Sequence, residues 1–246
     1  ASLGMWLGRT PGCNAVFDGA LFDWKRLSKE ALDIDQAIQD AFGQLGPGFL
    51  KKLDGPFALA VAYDSGLFVA RDAVGVAPLY YGYRDGAMCF ASEAKALLGW
   101  ASDVREFPPG HYHGGDGEFV SFVETASKAA KAKENPAQAL RSTLSEAVSK
   151  RASTTDALGC WLSGGVDSSA MAALAAMCVP KLKTFAVGLE GAPDLAFARQ
   201  AAAYIGSEHF EMCMQPEALI KALPDVIYAL ESFDALLVRS SLTNYL

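Results

Sequence analysis

The chain has 246 residues, of which 51% are hydrophobic and 20% charged, and a formal net charge of -7. That composition excludes a disordered or collagen-like chain, and at this length about 70% of the unfolded surface is buried, so no disulfide or metal staple is needed for stability. The acidic balance argues against a nucleic-acid partner, which needs a basic surface.

The five cysteines, Cys13, Cys89, Cys160, Cys178 and Cys213, are odd in number and show no Cys-x-x-Cys or metal-ligand spacing. No apolar run is long enough to span a bilayer, and the first residues lack a signal-peptide pattern. A cytoplasmic protein with no membrane partner is the expectation.

Residues 1–15 are Gly-rich and read as irregular. The spacing of Ala31, Ile34, Ile38 and Phe42 predicts a helix over 25–44. Short apolar or aromatic runs at 56–63, 67–70 and 79–83, separated by turn signals at 64–66, 72–75 and 85–86, predict one antiparallel, hairpin-rich layer. A further hairpin around 114–117 joins 111–112 to 118–123.

Residues 125–136, rich in Ala, Lys and Ser, read as a linker in which Lys128, Lys131 and Lys133 are solvated; this divides the chain into domains 1–124 and 137–246. Beyond it Leu140, Leu144 and Val148 share a helical face. Strands at 157–162, 184–189 and 209–214 then alternate with helices from Asp167, at 194–205 and at 216–230. This alternation predicts β-α-β units and a parallel sheet. Three strands fall short of the usual five or so, and the apolar helical stretch reaching Leu246 shows no capping signal. The second domain therefore reads as truncated, with more chain or another polypeptide completing its sheet.

Chemistry concentrates at Ser163, Gly164, Gly165, Val166, Asp167, Ser168 and Ser169, between a buried strand ending at Leu162 and an apolar helix. A strand-to-helix loop of this composition offers unpaired N–H groups at a helix N-terminus, glycines for close backbone approach and hydroxyl donors, which together suit a phosphate. Asp167 fits inside such a cradle when a magnesium ion lies between carboxylate and phosphate. The simpler alternative is a Gly-rich turn capped by Ser or Asp. No lysine of the P-loop ATPase type is present, and Trp161 occupies the glycine position of a nucleophile elbow. His111 and His113 alternate on one strand face but lack a third ligand, and His209 reads as a partly buried polar residue.

Ser163 to Ser168 resembles the pyrophosphate-binding loop of the N-type ATP pyrophosphatases, which split ATP to AMP and pyrophosphate. Thr184 to Asp194, together with Asp225 to Tyr228, Glu231 and Arg239, resembles asparagine synthetase B. Arg71 to Tyr81, Ala91 to Leu97 and Phe107 to Gly110 are similar to the amidotransferase domain of those enzymes.

The resemblance implies an α/β protein with an Ntn-hydrolase-like antiparallel layer followed by a parallel-sheet domain of the adenine nucleotide α-hydrolase type. It implies ATP and Mg2+ as cofactors, the phosphates on Leu162 to Ser169, adenine beside Val187 and Gly188, and Asp167 and Arg239 as catalytic residues. The implied reaction is amide formation through adenylation of a carboxylate, aspartate by default, with ammonia or an amine as nucleophile. β-Lactam synthetase is the alternative relative, and a homodimer the implied assembly.

The chain departs from the family at two places. It begins Ala1-Ser2 where the glutaminase has a nucleophilic cysteine, and Asp18 stands where the oxyanion-binding Asn belongs, so Gly19 and Asp35 read as remnants of a glutamine site that no longer works. The second phosphate loop and the acidic-substrate residues of the family lie beyond the matched residues. A nucleotide-binding regulatory protein without turnover is therefore the competing class, and a scaffold with a dead loop the third.

Overall fold

The computed structural model describes residues 13–22, 24–63, 66–115, 117–123, 135–153 and 157–246. The chain divides into two compact units, Ala1–Ala129 and Ala130–Leu246, each described by itself. Most of the expected linker, its three lysines and the first twelve residues lie outside the described residues.

The first unit contains β1 (Cys13–Gly19), α1 (Ile34–Leu45), β2 (Phe57–Tyr63), β3 (Gly66–Arg71), β4 (Tyr80–Arg84), β5 (Ala87–Ala91), β6 (Ser102–Glu106), β7 (His111–His113) and β8 (Phe119–Ser121). These strands form two antiparallel sheets, β1-β2-β3-β7-β8 and β5-β4-β6. The period-2 alternation of a strand sends neighbouring side chains to opposite faces. Phe57, Leu59 and Val61 of β2 pack with Ile38 and Ala41 of α1, while Ala58 and Ala60 join Tyr81 of the second sheet and Phe107, which follows β6. The five-stranded sheet thus lies between α1 and the three-stranded one.

The structure differs from the sequence expectations at three places. The single hairpin layer is two sheets; β5 and β6 escaped prediction because both are short edge strands, and β6 (Ser-Asp-Val-Arg-Glu) has little apolar alternation. The helix expected over 25–44 starts only at Ile34, where the Asp33 side chain accepts the Gln36 N–H at 2.8 Å and sets the N-terminus; a single 3-10 turn, Trp24–Arg26, precedes it. Cys13 to Ala15, expected irregular, belong to β1 through pairing with Val61 to Tyr63.

The crossing from one sheet to the other is built on Arg71 and Asp72, both buried. The Arg71 guanidinium donates to the carbonyls of Ala77 (2.7 Å), Gly75 (2.9 Å) and Phe107 (2.8 Å) and to Glu106 (2.7 Å). The Asp72 carboxylate accepts the N–H groups of Phe57, Val74, Val76 and Ala77. Burial pushes the Asp72 carboxyl up, but those four amides together hold it below the ordinary aspartate value.

The second unit contains α2 (Pro136–Ala152), β9 (Gly159–Trp161), α3 (Val166–Ala176), β10 (Lys183–Leu189), α4 (Pro193–Ile205), β11 (Glu208–Met214), α5 (Pro216–Leu230) and α6 (Ala235–Tyr245). The strands are parallel in the order β11-β10-β9, and the elements follow the expected alternation. On one face Val148, Leu162, Ala172, Ala175, Ala186, Leu195, Ala198 and Ala202 form the core with α2, α3 and α4. The alanines let α3 and α4 lie close to the sheet. The other face carries a cross-strand row of exposed aromatics: Trp161 edge-on to Phe185 at 6.0 Å, and Phe185 stacked on Phe210 at 5.4 Å. α5 and α6 pack together through Ala222, Val226 and Val238. No helix among the described residues is long and apolar enough to cross a membrane.

Replacing Asp72 with Asn leaves at least one buried amide without an acceptor and should destabilise the first unit by about 3 kcal/mol in urea unfolding at pH 7. Because the folded carboxyl is held low, its contribution is present above the unfolded value and is lost as pH falls through the folded one. The gap between wild type and variant should therefore close in acid; a pH-independent gap would contradict the assignment.

Candidate phosphate-binding site

β9 ends at Trp161, and the Leu162 N–H continues the ladder by donating to the Phe185 carbonyl at 2.7 Å. With Leu162 buried, the following residues leave the sheet from a fixed point. Gly164 has φ +77°, and a Cβ built on it would stand 2.5 Å from Phe197 C and Ala198 N on α4. Glycine is required here by both conformation and space.

Gly165 is the N-cap of α3, with extended backbone and no side chain to cap with. The first amides of any α-helix have no intrahelical partner, so those of Val166, Asp167 and Ser168 face outward uncapped at the positive end of the helix dipole. Two hydroxyls tie the loop together: Ser163 Oγ and Ser168 Oγ are 2.9 Å apart, and the Ser163 N–H donates to Ser168 Oγ at 3.2 Å. The Gly165 N–H approaches Ser163 Oγ at 3.4 Å, and Ser168 Oγ donates to the Gly165 carbonyl at 3.2 Å. Asp167 and Val166 are exposed in the first turn of α3, with Ser169 half-buried beside them. An arrangement of this kind can hold an anion with several oxygens.

Val187 and Gly188 lie toward the C-terminal end of β10, which runs parallel to β9, so the segments following the two strands open at the same end of the sheet. A Cβ on Gly188 would stand 3.1 Å from Leu195 Cγ, so the start of α4 leans on this glycine. Arg239 is exposed on α6, and no hydrogen bond or ion pair among the described residues joins it to the loop. Phe197 and Ala198 read in the sequence only as ordinary members of a helix. Their part in the loop depends on a tertiary approach that no local pattern encodes.

In the first unit Asp18 accepts the Ser92 hydroxyl at 2.8 Å. Gly19 has φ +139°, and a Cβ on it would fall 2.2 Å from the Pro56 carbonyl oxygen, so packing alone demands a glycine. Burial, then the charge of Asp33, pushes the Asp35 carboxyl above the ordinary aspartate value. His111 Nδ1 lies 2.7 Å from the Pro109 carbonyl, and buried His113 accepts the Gly115 N–H. No cluster of three or more His, Cys, Asp or Glu suited to a metal occurs among the described residues.

The second unit is a parallel α/β domain whose first strand-to-helix turn is an uncapped glycine loop, a geometry suited to an anion. Residues 139–246 match the asparagine synthase family model, and residues 11–99 match the glutamine amidotransferase domain model. The chain is 35% identical over 253 residues to glutamine-hydrolysing asparagine synthetase 2 of Lotus japonicus, covering 93% of this chain and 43% of that one. It is 36% identical over 227 residues to glutamine-hydrolysing asparagine synthetase 3 of Arabidopsis thaliana, covering 86% and 39%. Among solved structures, glutamine phosphoribosylpyrophosphate amidotransferase from B. subtilis superposes with a TM-score of 0.42 at 15% identity, over 88% of this chain and 51% of that one. Over both units the chain is similar to glutamine-hydrolysing asparagine synthetases. It spans about two fifths of the length of the curated relatives it matches.

Gly164→Ala should destabilise the second unit by roughly 3 kcal/mol, from left-handed strain plus overlap with the α4 backbone. Gly165→Ala, whose Cβ would meet only Ser163 Oγ at 3.5 Å, should stay within about 0.5 kcal/mol of wild type. Urea unfolding of the two variants checks the contrast, and equal losses would refute the contact with α4.

Proposed function

We propose that this chain carries the nucleotide-activating site of an ATP-dependent, AMP-forming carbon–nitrogen ligase. The uncapped amides of Val166, Asp167 and Ser168 beside the Gly164–Gly165 turn are the observation that carries this reading. They and the hydroxyls of Ser163, Ser168 and Ser169 bind the β- and γ-phosphates of ATP, following Leu162 out of the sheet, and Val187 and Gly188 lie on the adenine side. Asp167 offers an exposed carboxylate next to that cradle and would hold a magnesium ion there. That ion would supply charge neutralisation for the phosphates. Arg239 adds positive charge for the same phosphates.

In the reaction, an aspartate carboxylate oxygen attacks the α-phosphorus, and the bond to the β-phosphate bridging oxygen breaks, giving an aspartyl adenylate and pyrophosphate. Ammonia then attacks the acyl carbon, losing a proton, and AMP leaves with the electron pair, giving the amide. No protein nucleophile is needed: the chain orients the triphosphate and stabilises the charge accumulating on the departing pyrophosphate. The relatives are named as glutamine-hydrolysing, but in this chain a carboxylate at Asp18 would repel an oxyanion. The nitrogen donor is therefore free ammonia rather than glutamine.

Asp167→Asn should weaken binding of ATP with magnesium at least about tenfold in calorimetry while leaving magnesium-free ATP binding nearly unchanged. Equal affinity in both conditions would overturn the magnesium role. Pyrophosphate release that depends on both aspartate and ammonia tests the reaction, and release independent of aspartate would replace the ligase with a nucleotide hydrolase.

A further inference from the structure

α4 is the wall on which the phosphate loop rests. The backbone of Phe197 and Ala198 fills the space where a Gly164 side chain would stand, so a displacement of α4 displaces the loop. The next residue, Arg199, reaches from α4 to β11 and grips Glu211 with two bonds, Nε to Oε1 at 2.7 Å and Nη2 to Oε2 at 2.8 Å. A forked pair fixes angle as well as distance, which a lysine point charge does not.

Glu211 is backed from the sheet. His209 Nε2 stands 3.3 Å from the same Oε1. His209 Nδ1 is 3.0 Å from Thr184 Oγ1 on β10, which is 2.8 Å from Ser207 Oγ. The Ser207 hydroxyl lies 3.5 Å from the Ala202 carbonyl, which also accepts the Gly206 and Ser207 N–H groups at the end of α4. The polar network therefore leaves α4 at Arg199, crosses β11 and β10, and returns to α4 at Ala202. It fastens the helix to the sheet at two points one turn apart.

The geometry points to Arg199 and Glu211 as positioning residues for the phosphate loop, setting where α4 stands and so the space that Gly164 and the α3 N-terminus present to a polyphosphate. The inference rests on the nucleotide reading above. Stability is a poor alternative explanation, because the Arg199 side chain is 60% exposed and an ion pair so open to solvent adds little. The Arg199 hydrogen bond holds the Glu211 carboxyl below the ordinary glutamate value, so the pair stays ionised across neutral pH.

The test uses the 246-residue chain as wild type, Arg199→Met, Arg199→Lys and Glu211→Gln. Amide resonances of Gly164 and Gly165, affinity for ATP with magnesium, and melting temperature are read on each. Arg199→Met and Glu211→Gln should move the Gly164 amide and weaken ATP about tenfold with the melting temperature almost unchanged, and Arg199→Lys should recover only part of the affinity. An unmoved Gly164 amide in both, or an affinity that falls only in step with melting temperature, would overturn the positioning role. Failure of the wild type to bind ATP would refute the nucleotide reading instead, and the Gly164 amide would still decide whether the clasp sets the loop.

Discussion

The close approach of Gly164 to the α4 backbone is the contact on which the second unit turns. With a left-handed residue pressed against Phe197 and Ala198, the chain leaving β9 folds back and enters α3 with its first amides pointing out. That approach needs α4 low on the sheet, and the small side chains at Ala186, Ala198 and Ala202 permit it. Core composition thereby sets the geometry of a surface loop. Parallel strands complete the arrangement by opening the segments after β9 and β10 at one end, where ligands of α/β sheets collect.

The two units treat orphan backbone amides in opposite ways. At the turn after β3, the Asp72 carboxylate takes four N–H groups and Arg71 takes three carbonyls, so the turn is closed and joins two sheets. At the turn after β9, the capping position is Gly165, and no side chain accepts the amides of the first helical turn. Both turns are glycine-containing and follow a strand. What separates the closed turn from the open one is the presence of a carboxylate where the amides converge.

Much of this was legible in the sequence because the decisive signals are local. Apolar runs ending in turn residues marked β2, β3, β9, β10 and β11, and the Ser-Gly-Gly-Val-Asp-Ser-Ser stretch announced an open helix N-terminus. The misses have physical causes. β6 is an exposed edge strand with little apolar alternation, β5 is a five-residue edge strand that is apolar throughout and so does not alternate, and the sheet change after β3 depends on buried hydrogen bonds at Arg71 and Asp72 that no periodicity reports. α1 begins late because one carboxylate, Asp33, outweighs a helical spacing that extends before it. The α4 wall and the Arg199–Glu211 fork join residues from separate elements, so only the folded chain brings them together.

The most direct measurement is a 15N–1H correlation spectrum of the chain titrated with magnesium pyrophosphate. An open α3 N-terminus predicts saturable shifts concentrated at the amides of Ser163 through Ser169, with neighbouring changes at Phe197 and Ala198. Saturable binding that leaves those amides unmoved, or no binding at all, would contradict a phosphate site at this loop.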